Sequence, residues 1–297
     1  MIKNIFILLF IFSSFSYPQD EITFTDWELV ADNQNFPEGI TFDGKSNLYS
    51  SNCYGGWITK ISNNYVDTFL VASESTFSKT NGLFALGDGS IIATDYGNGS
   101  ILIIDFEGNV KKLISEFEGE PLNRPNDLTI DKTGNLFFTD PKSYGKDKLD
   151  GRIFYYDFDQ DTLLLVQTEL AFPNGIGISP IDGRLYVCES AKNRILSFKI
   201  NENGKLGNKK VFVELQGGDP DGFNFDVEGN LYVAHFGGGN LFVISPDGTI
   251  LKTVKTPGLK PTNLEFAGDD KKTLYLTEVE TNSIYRCRVS IAGHSFF

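Results

Sequence analysis

A short phrase returns six times along this chain: a turn, an apolar pair, and a polar stop a few residues later. It reads Ser46-Asn47-Leu48-Tyr49, Gly89-Ser90-Ile91-Ile92, Gly134-Asn135-Leu136-Phe137, Gly183-Arg184-Leu185-Tyr186, Gly229-Asn230-Leu231-Tyr232 and Lys272-Thr273-Leu274-Tyr275. Marking the first apolar residue gives positions 48, 91, 136, 185, 231 and 274, at intervals of 43, 45, 49, 46 and 43 residues. A period near 45 with room for four short strands is the signature of a propeller blade, whose apolar face is buried only by stacking against the next unit.

The third unit shows the strands one by one. Leu128–Ile130, Leu136–Thr139, Arg152–Asp157 and Leu163–Thr168 are short alternating runs separated by Gly, Asp and Asn turns. The last unit holds only three, at Thr262–Phe266, Leu274–Thr277 and Ser283–Val289. The segment Trp27–Ala31 can supply the fourth, closing the ring and removing free sheet edges. The expected fold is therefore all-β, a single six-bladed β-propeller over residues 17–297. Composition agrees, because 30 glycines, 26 phenylalanines and 12 tyrosines suit strands and turns rather than helices.

Residues 1–16 read as a secretory leader. Lys3 precedes the apolar run Ile5–Phe12, and Ser14 and Ser16 occupy the positions before a cut. That run is too short to span a bilayer, which needs about 20 residues. The expectation is a secreted or periplasmic protein with no membrane span. A net charge of -13 with no basic cluster repels phosphate backbones, which argues against nucleic-acid binding. Cys53, Cys188 and Cys287 show no paired spacing and read as small buried residues rather than a disulfide framework. No oligomerisation pattern is visible, so a monomer is expected.

Ten or eleven residues before each mark stands a carboxylate or carboxamide: Glu38, Asn81, Asn126, Asn174, Asp221 and Asn263. In a propeller these equivalent positions open the innermost strand of each blade and converge on the axis. Two carboxylates with amide carbonyls form an all-oxygen donor set suited to Ca2+ or another divalent cation. With two histidines in the chain and no thiolate pair, zinc is disfavoured. Asn, Asp and Gly after Pro are also ordinary turn formers, as Ser245-Pro246-Asp247-Gly248 shows, but Glu38 is not. The run Asp157-Phe158-Asp159-Gln160-Asp161 opens like a calcium loop, yet Thr162 and Thr168 stand where glycine and an acid are required, so it reads as a hairpin turn. No G-x-S-x-G elbow or Gly-rich phosphate loop occurs. Four residues after each mark come Asn52, Asp95, Asp140, Glu189, His235 and Glu278, of which His235 is a candidate base or substrate-orienting group.

Arg124-Pro125-Asn126-Asp127, Phe138-Thr139-Asp140-Pro141, Phe172-Pro173-Asn174-Gly175, Pro220-Asp221-Gly222 and Leu274-Tyr275-Leu276-Thr277, in that order and spacing, resemble the regucalcin, gluconolactonase and luciferin-regenerating enzyme family of six-bladed propellers. The resemblance runs from about Phe36 towards the C-terminal region. It implies metal ligation by Glu38, Asn174 and Asp221, with Asn126 near both metal and substrate. It also implies substrate contact by Arg124 and a role for Asp221 as the base that activates water. The implied activity is calcium-dependent hydrolysis of a small-molecule lactone or ester. A non-catalytic, calcium-containing propeller that binds a carbohydrate, peptide or protein is the alternative.

Overall fold

A computed structural model describes residues 21–295; the expected leader lies outside them. Among the described residues there are six four-stranded antiparallel sheets and one two-stranded hairpin, Glu116–Phe117 with Glu120–Pro121. In blade order the innermost strands are Pro37–Phe42, Thr80–Ala85, Leu128–Ile130, Pro173–Ile178, Asp219–Phe225 and Pro261–Ala267. Each lies beside the next, and the sixth returns to the first, which makes the ring of a six-bladed propeller. Glu28–Ala31 pairs antiparallel with Ser283–Arg288 and completes the sixth blade.

The third blade consists of Leu128–Ile130, Leu136–Asp140, Gly151–Asp157 and Thr162–Leu170, close to the runs read from sequence. Residues 158–161 form the hairpin turn there, so the apparent calcium loop is a turn. The recurrent turn before each mark has a simple cause. At Asp131 and Asp226 the carboxylate accepts backbone N–H groups two and four residues on, while Gly134 and Gly229 hold φ of 87° and 81°. Such positive φ is open to glycine at little cost.

There is no single core. Six apolar clusters lie at the six interfaces between adjacent blades. Phe137, Ile153, Ile176, Val187 and Leu196 join blades three and four, and Ala31, Ile40, Leu48 and Ile284 join one and six. Each blade buries its two faces on its neighbours, which is why a lone repeat would not fold. The three cysteines are buried and unpaired, as expected for small core residues.

Candidate active site

A cavity of about 190 Å³ opens at one end of the central channel. Glu38, Asn81, Asn126, Asn174 and Asp221 line it, together with Cys53 and Ser190. Five of the six axial positions anticipated from the register therefore meet in one place. The sixth, Asn263, belongs to the far half of the channel, where its side chain hydrogen-bonds the Asp127 carboxylate.

Three devices aim these side chains. First, the pairing with the second strand is interrupted at this point in five blades, between Pro37 and Ile40, Thr80 and Leu83, Pro173 and Ile176, Pro220 and Phe223, and Pro261 and Leu264. A bulge of this kind re-aims a side chain that a regular strand would direct elsewhere. Second, a glycine follows four of the axial residues. A Cβ on Gly39 would strike the Asn81 carbonyl, one on Gly175 the Asp221 carbonyl, and one on Gly222 the Asn263 side chain. These glycines serve close approach between blades, not the tight turn that the Pro-Asn-Gly and Pro-Asp-Gly motifs suggest. Third, hydroxyls three residues after a mark hold the next blade's axial residue by its backbone. Ser51 donates to the Asn81 carbonyl at 2.6 Å, Thr94 to Asn126 at 2.7 Å, Thr139 to Asn174 at 2.8 Å and Thr277 to Glu38 at 2.8 Å.

The electrostatics of the floor are unusual. Burial raises the pKa of Glu38, and the nearby Asp127 carboxylate raises it further. Burial likewise raises Asp221 well above the usual carboxylate range, with Glu38 and Asp127 adding repulsion and a hydrogen bond from Asn174 opposing it. Asp127, pushed to about 7 by burial, lies beside the floor in the far half of the channel with Asn263, and its motif in the sequence assigns it no role. No lysine or arginine contributes to the shift of any of the three. Three carboxyl groups gathered without a counter-charge cannot all ionise. A divalent cation would restore them, and the donor chemistry fits one: two carboxylates, Glu38 and Asp221, beside the carboxamides of Asn126 and Asn174. Among the described residues no three acidic, histidine or cysteine side chains form a metal cluster, so the carboxamides and water would have to complete the shell.

His235 is not brought to this cavity. It is 1% exposed and packs edge-on against Phe242 with ring centroids 4.9 Å apart. It occupies a second polar ring, the positions four after each mark, which hold the loop before each innermost strand. There Asn52 accepts the Asn35 N–H at 2.8 Å, Asp95 that of Lys79 at 2.9 Å and Asp140 that of Arg124 at 2.8 Å. Glu189 accepts the Ala171 N–H at 2.9 Å and Glu278 that of Lys260 at 2.7 Å. His235 stands at the fifth blade's position in this ring, so the structure does not bring the candidate base to the cavity with Glu38 and Asp221.

The mouth carries what the sequence reading overlooked. Phe36, Tyr54, Tyr96, Tyr144, Phe172 and Phe236 form an aromatic collar. Phe36 and Phe172 stand two residues before Glu38 and Asn174 and hold φ of 59° and 55°, uncommon for aromatic residues and characteristic of functional sites. Arg124 stands at the equivalent place in blade three, its guanidinium 5.5 Å from the Tyr96 ring centroid and one N–H 3.4 Å from the Tyr96 hydroxyl. The same register that gave the axial ring, read two residues earlier, finds Phe36, Phe172 and Arg124, while Tyr54, Tyr96, Tyr144 and Phe236 come from other positions.

Residues 36–280 match the SMP-30/Gluconolactonase/LRE-like region. Diisopropyl-fluorophosphatase of Loligo vulgaris is 32% identical over 63% of this chain and 64% of its own length. Gluconolactonase of Zymomonas mobilis is 30% identical over 72% of this chain and 64% of its own. The match thus spans just under two thirds of each of these two relatives. The solved structure of regucalcin from Agrobacterium tumefaciens, a calcium-binding protein, superposes with a TM-score of 0.78 at 19% identity, covering 91% of this chain and 96% of that one. Register, propeller and matched span agree: the chain belongs to the SMP-30/gluconolactonase/LRE-like family.

Proposed function

We propose that the protein is a secreted or periplasmic, monomeric, calcium-dependent hydrolase that opens a sugar lactone or a related ester. The observation that carries this reading is the buried, uncompensated pair Glu38 and Asp221 at the foot of an aromatic-walled cavity. Relatives named gluconolactonase and diisopropyl-fluorophosphatase support hydrolysis, and a structural neighbour described as calcium-binding supports the metal.

In this reading Glu38, Asn126, Asn174 and Asp221 hold the cation. When bound, it supplies Lewis-acid polarisation of the scissile carbonyl and stabilises negative charge developing on its oxygen. Asn126, two residues after Arg124 and lining the cavity, orients the ring of the substrate. Asp221 accepts the proton of the attacking water. The collar from Phe36 to Phe236 excludes bulk water and strengthens every electrostatic contact beneath it. Hydrolysis of a panel of lactones and simple esters, run with calcium, with chelator and with Asp221→Ala, tests the proposal. Turnover lost in both of the last two supports it, and turnover insensitive to either sinks it.

The aromatic collar also suits a non-catalytic receptor for carbohydrate, since rings offer flat faces to sugars. The same experiment separates the readings. A receptor would bind sugar, show no turnover and lose nothing catalytic on substitution of Asp221.

A further inference from the structure

Of the positions two before each axial residue, Phe36, Phe172 and Asp219 line the cavity, and Lys79 and Arg124 lie over Tyr54 and Tyr96, which also line it, so the surround of the mouth is not uniform. Round the ring these positions read Phe36, Lys79, Arg124, Phe172, Asp219 and Pro261. The two cations sit on adjacent blades, Lys79 over Tyr54 and Arg124 over Tyr96. The Lys79 ammonium is 5.0 Å from the Tyr54 ring centroid, and Arg124 lies over Tyr96 and close enough to Tyr54 to lower its pKa. Across the mouth, Asp219 already accepts the Tyr144 hydroxyl at 2.7 Å and an Asn193 N–H at 2.9 Å.

Neither cation has a carboxylate within ion-pair distance among the described residues, although acidic residues outnumber basic ones 39 to 26 in this chain. Arg152 and Arg194, by contrast, are bound to Asp140 and Glu189 at 2.6 Å. The backbones of Lys79 and Arg124 are fixed by Asp95 and Asp140, so both chains spring from pinned positions. Two unpaired cations held over one wall of a cavity, with the opposite wall's acid already satisfied, make a one-sided anion site.

Resting on the hydrolase reading above, we infer that the substrate is a lactone or ester that also carries an anionic substituent, a carboxylate, phosphate or sulfonate. Lys79 and Arg124 bind that substituent at the rim. The carboxylates of the floor repel it, so the charge stays at the mouth while the neutral carbonyl descends. Charge therefore sets the orientation of the substrate as well as its affinity. Guanidinium supplies a planar, two-pronged donor and ammonium a mobile point charge, a pairing that suits a multi-oxygen anion.

The test compares glucono-1,5-lactone with its 6-phosphate as substrates, and glucose with glucose 6-phosphate as ligands by calorimetry. Wild type and the Lys79→Met/Arg124→Met variant are run at low and high salt. The expected result is a kcat/KM at least tenfold higher for the phosphorylated lactone, falling towards parity in the variant and shrinking with salt, since rim charges are screened. Equal kcat/KM for the two lactones, with both changed alike in the variant, overturns the inference and leaves the hydrolase reading standing. Failure to hydrolyse either lactone, with glucose 6-phosphate still bound tenfold tighter than glucose and only by wild type, upholds the anion site and removes the lactonase reading. No preference in either assay overturns the inference outright.

Discussion

Two rings of polar side chains circle the same axis, one residue per blade in each, and they are opposites. The axial ring from Glu38 to Asp221 faces an open cavity and gathers carboxyl groups that no lysine or arginine among the described residues offsets. The outer ring at Asn52, Asp95, Asp140, Glu189, His235 and Glu278 is at most 1% exposed, and every carboxylate in it is saturated by donors. Asp140 takes the Asn123 and Arg124 N–H groups and the Arg152 guanidinium, and Glu278 takes the N–H groups of Lys260, Glu280 and Thr281. A satisfied buried carboxylate secures a loop, whereas an unsatisfied one that faces a cavity is free to act on something that enters.

If that division is right, substitutions in the two rings fail in different ways. The largest effect belongs to the axial ring. Asp221→Asn and Glu38→Gln are each expected to lower kcat/KM at least a thousandfold, equivalent to about 4 kcal/mol of lost transition-state stabilisation. Chemical stability should rise or stay level, because a repelling carboxyl has been removed. A melting curve beside the lactone assay checks both halves, and a variant that loses its fold along with its activity breaks the comparison.

Asp140→Ala should behave in the reverse manner. It leaves the Arg152 guanidinium and two loop N–H groups without their acceptor, and removing one member of a buried pair costs about 3 kcal/mol. Denaturant unfolding is expected to show that loss. Activity per folded molecule should fall mainly through KM, since the loop that Asp140 holds carries Arg124. A kcat collapse of the size seen for Asp221 would place the outer ring in the chemistry.

Thr139→Val sharpens the link between the rings. Its hydroxyl holds the Asn174 carbonyl at 2.8 Å, and the isosteric change leaves that buried acceptor unpaired, at a cost of about 1–2 kcal/mol. Because Asn174 is a proposed ligand, the variant should also need more calcium for half-maximal activity, by roughly the five- to thirtyfold that such an energy represents. An unchanged calcium requirement would show that the clamp serves the fold alone.

Much of this could be read from the sequence. The period near 45 residues determined the blade count, and the strands of blade three lie within about two residues of their expected bounds. The axial ring followed from counting back to positions such as Glu38 and Asn126. What escaped reading was whatever depends on the neighbouring blade. Gly175 resembles a turn glycine until the Asp221 carbonyl is seen against it, and Thr139 resembles any strand threonine until it meets Asn174. Lys79 and Phe36 lay in the same register and were open to discovery, but they share no residue type. The eye follows chemical likeness more readily than position.

His235 lies apart from the cavity although its residue type suggests chemistry, and it gives the smallest expected effect. A histidine at a strand end near a glycine run looks like a base, yet neither ring nitrogen finds a hydrogen-bond partner of good geometry, and burial lowers its pKa, offset in part by the backbone at Gly218 and Leu215 and by Asp219. A histidine whose folded pKa lies below its unfolded value of about 6.5 contributes stability that is present above that pH and lost as pH falls through it. His235→Phe keeps an aromatic ring against Phe242 and removes two buried nitrogens, so at pH 8 it should shift stability by no more than about 1 kcal/mol. As pH falls below about 6.5 it should resist acid better than wild type, with a difference that grows by at most about 1.4 kcal/mol for each pH unit. Its pH–rate profile should keep the wild-type shape, because His235 does not line the cavity that holds Glu38 and Asp221. A missing limb in that profile would return His235 to the chemistry and dissolve the boundary between the two rings.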